Sequence, residues 1–289
     1  MELKHIARRQ GRLSTFLKQE LGLSTGLMNR LKWADKLYVN GVPRHADFPV
    51  SVGDTIVAVL DDPEPQYPAE DGPLTILYED DHILCVDKPA GMLIHPSRSC
   101  FHGTLANFVL GYYQKTNQSC AFHPVTRLDR DTFGVVLLAK NAHIHSKLNA
   151  LHAEGKLQKT YEALIFGCPE SKQGTIDAPI ARLPLPSLLR KVDPEGKPSL
   201  TEYQVVETFP GYSRVSLRPI TGRTHQLRVH CAYMGFPILG DPQYGTADSL
   251  ALSKELGYPS QVLCAVKLAF PHPVSGDKME IGTKQILFR

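Results

Sequence analysis

The sequence predicts an α+β protein: a mixed, largely antiparallel sheet domain preceded by a small α/β module. Three observations predict it. Strand-like runs outnumber helical ones after residue 74, and few strand–helix–strand units repeat, so a doubly wound parallel sheet is not expected. Residues 61–73 hold four prolines and five acids in thirteen positions, a composition that builds no core and reads as a linker. Helical and strand periodicities alternate quickly before it. The expected organisation is therefore a module over 1–60, a spacer over 61–73 and a large domain over 74–289.

The elements follow in order. Ser14 is placed to cap a helix carrying Phe16, Leu17 and Leu21, ended by Gly22. Ser24 or Thr25 caps a second helix with Leu27, Met28 and Leu31 on one side. Leu37 to Val42 reads as a strand turning at Asn40–Gly41, and Thr55 to Leu60 as another after a turn at Gly53. In the large domain, Asp81 to Asp87 is an apolar strand. Val135 to Ala139 is a continuous apolar run of the kind buried on both faces. Asn141 to Gly155 carries Ile144, Leu148 and Leu151 at helical spacing. Tyr161 to Phe166 is a strand, and 201–207 with 213–218 form a pair around Pro210–Gly211. Thr224 to Met234 is a short helix, capped by Thr224 and closed by Gly235.

Composition narrows the function. The chain has 289 residues, 42% of them hydrophobic, and a net charge of +3. No apolar run approaches the roughly 20 residues that a membrane helix needs, and Met1 to Arg12 is polar and basic, so a cytoplasmic protein without a membrane partner is expected. The six cysteines form no Cys-x-x-Cys pair, so neither a zinc ribbon nor a redox dithiol is expected. His95, His123, His225 and His230 lack metal-ligand spacing, and no glycine-rich phosphate loop is present. No metal or cofactor is predicted. Residues 1–60 carry nine Lys/Arg against five Asp/Glu, residues 61–72 carry five acids and no base, and residues 74–289 carry 23 bases against 19 acids. Two basic blocks around an acidic spacer fit a polyanion touched at two places, and equally fit ordinary surface charge.

Chemistry is concentrated in Arg127-Leu-Asp-Arg-Asp-Thr-Phe-Gly134. A carboxylate among guanidinium groups is held in its charged form. Such a group suits attack on, or stabilisation of, an electron-poor sugar carbon. A surface salt-bridge loop has the same composition.

This segment resembles the His-Arg-Leu-Asp-x-x-Thr-Ser-Gly signature of the RluA-type pseudouridine synthases, with Thr126 and Phe133 standing where His and Ser are usual. The resemblance continues in order over residues 75–289. It takes in Lys88-Pro-Ala-Gly91, Lys159-Thr-Tyr-Glu-Ala163, Gly222-Arg-Thr-His-Gln-Leu-Arg-Val-His230, Leu239-Gly-Asp-Pro-Gln-Tyr-Gly245 and Phe270-Pro-His-Pro273. It implies an RNA isomerase, needing no cofactor, in which Asp129 is the catalytic carboxylate. Tyr161 would stack on a flipped uracil with its hydroxyl near C5. Arg228 would pair with Asp129, its planar fork suited to a bidentate contact. Arg127 would enter the RNA stem vacated by the target, and Arg223 would contact phosphate. Arg130 and Asp131 are expected in supporting ion pairs.

Residues 12–60, including Lys36-Leu-Tyr-Val-Asn-Gly-Val42, are similar to the S-four-like RNA-binding module. That implies phosphate contacts by Arg30, Lys32 and Lys36, with Arg44 beside them. The implied partner is RNA, ribosomal rather than transfer RNA because a second anchor suits a large structured substrate, and the implied state is a monomer. Two other readings stay open at this point: a non-catalytic RNA-binding protein on the same scaffold, and a glycoside hydrolase, which would need a second carboxylate, Asp131 being the nearest.

Overall fold

A computed structural model describes residues 2–60, 67–97, 100–184 and 186–285. The first unit comprises β1 (Glu2–Ile6), β2 (Gly11–Arg12), α1 (Leu13–Gln19), α2 (Thr25–Trp33), β3 (Leu37–Val39), β4 (Val42–Pro43), β5 (Pro49–Val50) and β6 (Thr55–Val59). Phe16 and Leu17 of α1 and Leu27, Met28 and Leu31 of α2 are buried on Leu37, Val39, Ile56 and Ala58 of the sheet β1-β6-β3-β4. Ser24 caps α2, its hydroxyl accepting from the Leu27 amide at 3.3 Å. Asn40 (φ 53°) and Gly41 (φ 77°) are both left-handed, as a tight two-residue hairpin turn requires. Helix α1 differs from expectation: it starts at Leu13, one residue before Ser14, and Arg12 at its cap supplies no side-chain bond.

The spacer expected over 61–73 begins outside the described residues. Its second half is bound to the large domain. The Glu70 amide donates to the Asn107 carbonyl at 3.0 Å, the Asn107 side chain donates to the Pro68 carbonyl at 2.9 Å, and Asp71 pairs with Lys115 at 2.6 Å. Pro-rich backbone still has carbonyls to satisfy, and a helix flank supplies the donors.

The second unit runs β7 (Thr75–Glu79), β8 (Ile83–Lys88), α3 (Leu105–Lys115), β9 (His123–Pro124), β10 (Phe133–Ala139), α4 (Ala142–Ala153), β11 (Gln158–Phe166), β12 (Gln173–Asp177), β13 (Ile180–Arg182), β14 (Arg190–Val192), β15 (Leu200–Phe209), β16 (Tyr212–Pro219), α5 (Gln226–Tyr233), α6 (Ala247–Glu255), β17 (Leu263–Pro271) and β18 (Lys278–Gly282). Eight strands lie in the order β12-β15-β16-β11-β17-β10-β8-β7, with β18 on β17 and β9 on β10. Among the described residues the one parallel pairing is β10 with β17; the rest are antiparallel. This is the mixed, largely antiparallel α+β sheet predicted.

Strand β10 is buried on both faces, as its unbroken apolar run predicts. Val135 and Leu137 pack with Ile144 and Leu148 of α4, while Val136 and Leu138 pack with Leu105 and Val109 of α3. Further along the sheet, Leu227 and Cys231 of α5 cover Ala163, Val215 and Leu217. The helices thus clamp the central strands, and β10, β17 and β11 become a rigid base for the loops at their ends.

Candidate active site

The loop 125–132 leaves β9 and enters β10. Thr126 closes its first end: its amide donates to the Leu137 carbonyl at 3.3 Å, and its hydroxyl accepts from the Leu137 amide at 2.9 Å. Phe133, the other departure from the family signature, packs with Leu164, Leu239, Val262 and Cys264. Both departures therefore serve the frame of the loop.

Gly134 fixes the other end. It has φ 108°, and a Cβ there would lie 2.3 Å from the Ala265 carbonyl oxygen, where β10 meets β17. No other residue fits so close an approach with that backbone. Gly134→Ala is expected to destabilise the fold by about 3 kcal/mol through strain and forced strand separation, read as a lowered urea midpoint.

Lys88, at the end of β8, is fully buried. Its ammonium donates to the carbonyls of Pro89 (2.9 Å), Met92 (2.8 Å) and Arg130 (2.8 Å). Burial pushes this amine down to about 8, against the opposing pull of Asp131 and Asp129. Through Arg130 it ties the Lys-Pro-Ala-Gly loop to the Asp129 loop. Arg130 and Asp131 pair with each other at 3.1 Å, as expected.

Asp129 stands at the tip of the loop with its side chain 28% exposed. Arg228, one turn into α5, donates from Nη1 to Asp129 Oδ2 at 3.0 Å, bringing together residues 99 positions apart. The expected bidentate contact is corrected here. The fork engages Asp241 instead: Nε donates to Oδ2 at 2.7 Å and Nη2 to Oδ1 at 2.8 Å, and Nη2 also donates to Gln243 at 2.8 Å. Asp241 is completely buried and also accepts from the amides of Gln243 and Tyr244. Burial pulls the Arg228 guanidinium down, but Asp241 and Asp129 more than offset it, leaving its pKa above the ordinary arginine value.

The cap of α5 also differs from expectation. The capping residue is His225 rather than Thr224, left-handed at φ 57° and without a side-chain cap bond. A non-glycine residue in that region is held there by its surroundings. His225 Nδ1 meets the Tyr244 hydroxyl at 2.8 Å, and Nε2 lies 3.9 Å from Asp129 Oδ2. Burial lowers the His225 pKa despite the neighbouring Asp129. The Tyr244 hydroxyl also accepts from the Arg190 amide at 2.9 Å, and its ring lies 5.0 Å from the Arg228 guanidinium. The sequence reading missed Asp241, His225 and Tyr244 as site residues, although they lie in the quoted segments. A charge inside Leu-Gly-Asp-Pro was the available signal.

Tyr161 of β11 neighbours Ala265 of β17, next to Gly134. Its ring packs in the cluster holding Leu217 and Leu227 and is 8% exposed. Burial, and then the charge of Asp129, push its hydroxyl far above the ordinary phenol value. Arg127 is exposed two residues before Asp129, and its charge adds to the effect of burial in lowering the pKa of His95. Arg223 is exposed, donating to the Pro198 carbonyl at 3.1 Å. Asp129, Arg228 and Tyr161 thus converge, with Arg127 on the loop that carries Asp129 and Arg223 in the turn that leads into α5. Arg30 and Lys32 lie on α2, and Lys36 precedes β3, all in the first unit.

A partly exposed carboxylate held by a helix-borne guanidinium, beside a buried tyrosine, has the make-up of an enzyme's active site rather than of a passive binding surface. Residues 82–233 match the RNA pseudouridylate synthase family, and the chain belongs to it. It is therefore an RNA isomerase. It is 36% identical over 265 residues to an uncharacterized RNA pseudouridine synthase of Bacillus subtilis, covering 90% of each chain. It is 36% identical over 249 residues to the ribosomal large subunit pseudouridine synthase D of Haemophilus influenzae, covering 84% of this chain and 76% of that one. Among solved structures, human RNA pseudouridylate synthase domain containing 1 superposes with a TM-score of 0.61 at 27% identity, over 76% of this chain and 86% of that one.

Proposed function

We propose that the chain converts uridines of ribosomal RNA to pseudouridine in the cytoplasm, with Asp129 as the catalytic carboxylate. The observation that carries this is the Arg228–Asp129 contact, which aims a partly exposed carboxylate outward while its partner is anchored from behind by Asp241.

The reaction is an isomerisation. The N1–C1′ bond of a flipped uridine breaks, the uracil turns, C5 bonds to C1′, C5 gives up its proton and N1 gains one. Asp129 meets the anomeric carbon as it loses the base. Arg228 holds the carboxylate in place through the 3.0 Å contact. Tyr161 remains a neutral phenol, which supports a role as a ring beneath the uracil over one as a free base. Arg127 would fill the stem vacated by the uridine and Arg223 would meet phosphate, roles that their exposure supports. A glycoside hydrolase would want a second free carboxylate, and Asp131 is turned onto Arg130.

The ribosomal assignment is supported by the name of the Haemophilus influenzae relative. Among the described residues no helix is long and apolar enough to cross a membrane. The first unit serves as a second RNA anchor, its α2 presenting Arg30 and Lys32 beside Lys36. Substituting Arg30, Lys32 and Lys36 together by Ala is expected to raise KM with kcat kept, and to flatten the slope of log K against log salt concentration by about one per lost phosphate contact. Pseudouridine mapping of total RNA, with and without the protein, tests the substrate. Loss of sites in large-subunit RNA is expected; loss confined to transfer RNA would refute the ribosomal assignment.

A further inference from the structure

Helix α2 has two unlike sides. Leu27, Met28 and Leu31 are buried, whereas Gly26, Asn29, Arg30 and Trp33 recur at helical spacing on the opposite, exposed side. Trp33 ends the helix and is 82% exposed, the most open of the large hydrophobic side chains described. It is also the single tryptophan of the chain. A lone indole left in water forgoes its burial, so its surroundings indicate what it meets.

Those surroundings are basic and polar rather than apolar. Residues 29–44 hold Arg30, Lys32, Lys36 and Arg44 against one acid, Asp35. The Lys32 ammonium sits 5.6 Å from the Trp33 ring centroid. Nearby in sequence, the Arg44 guanidinium lies 4.4 Å from the Phe48 ring centroid. A protein-binding tryptophan would be expected within an apolar patch, and here its helix neighbours, three and four residues back, are the exposed Arg30 and Asn29. A symmetric contact with a second copy would bring these cations against themselves. A flat aromatic face bordered by cations matches an unpaired nucleotide, whose base has a π-face and whose phosphates are negative.

We infer that Trp33, at the end of α2 in the first unit, is a stacking platform for an unpaired nucleobase of the RNA substrate, with Arg30 and Lys32 meeting the adjoining phosphates. This rests on the reading of the first unit as an RNA anchor and adds what that anchor grips: a single-stranded element rather than a helix.

Because all tryptophan emission comes from Trp33, the full-length protein reports on the site directly. Titration with a twelve-nucleotide oligoadenylate is expected to quench that emission, whereas a paired RNA of equal phosphate count quenches little. Trp33→Ala is expected to weaken oligoadenylate binding about tenfold, with kcat at saturating substrate and Tm unchanged, while Trp33→Phe restores most of the affinity. If Trp33→Ala binds oligoadenylate normally while Ala at Arg30, Lys32 and Lys36 weakens it, the stacking is refuted and the anchor stands. If neither set matters, both fall, and the assignment of Asp129 is untouched. Equal quenching by paired RNA, quenching by anionic phospholipid vesicles but not by RNA, or loss of a dimer in Trp33→Ala would each overturn the inference.

Discussion

Asp129→Asn is expected to abolish uridine conversion while leaving fold and RNA affinity nearly intact. The amide keeps the size of the side chain and can still accept from Arg228, so the loop has little reason to move. It lacks the negative charge and nucleophilicity that the anomeric carbon requires. Loss of a covalent or general-base group of this kind costs about 10⁴-fold, or about 5.5 kcal/mol of transition-state stabilisation. Stability is protected because Arg228 retains Asp241 through two bonds of 2.7 and 2.8 Å, so its cation is not stranded. Single-turnover release of tritium from C5-labelled uridine in RNA measures the chemistry, and filter binding measures affinity. Conversion at more than a few per cent of the wild-type rate would remove Asp129 from the reaction. Release of free uracil by the wild type would replace isomerisation by hydrolysis.

The Asp129–Arg228 pairing is legible in the sequence because both residues lie in motifs with family meaning. The physical pattern alone, alternating charges before a buried strand, could not separate a site from a surface loop. What escaped is instructive in the same terms. Helix α3 was not foreseen, although Thr104 and Asn107 form a capping box and Leu105, Val109 and Leu110 lie on its buried side. Gly111 in its interior weakens the helical signal. That glycine is there for packing: a Cβ would come within 1.9 Å of the Glu70 carbonyl oxygen. Strand β1 is not legible in the polar, basic stretch Met1 to Arg12, because an edge strand with no fully buried residue carries little apolar signal; its pairing with β6 supplies the order. His225 gives no linear sign of a left-handed backbone. The geometry comes from the convergence of Tyr244, Asp129 and the start of α5.

The partition of Arg228 between two carboxylates sets the second large effect. Asp241→Asn is expected to lower stability by about 3–5 kcal/mol, the cost of breaking a buried pair by altering one partner. For a chain of this size that is about 10 °C or more in Tm. Asp241 is completely buried and Arg228 nearly so, so water cannot replace the lost charge. Activity should fall as well, because the guanidinium is then free to turn its fork onto Asp129. That move would draw the carboxylate toward α5 and occupy both oxygens that the sugar must meet. Arg228→Lys separates the two consequences: a single ammonium cannot span Asp241, Gln243 and Asp129 together, so it loses geometry while keeping charge. Calorimetry and single-turnover kinetics on both variants test the scheme. A Tm within about 2 °C of wild type for Asp241→Asn would mean that the buried pair does not anchor Arg228. Asp129 would then owe its position to the Lys88-held loop alone.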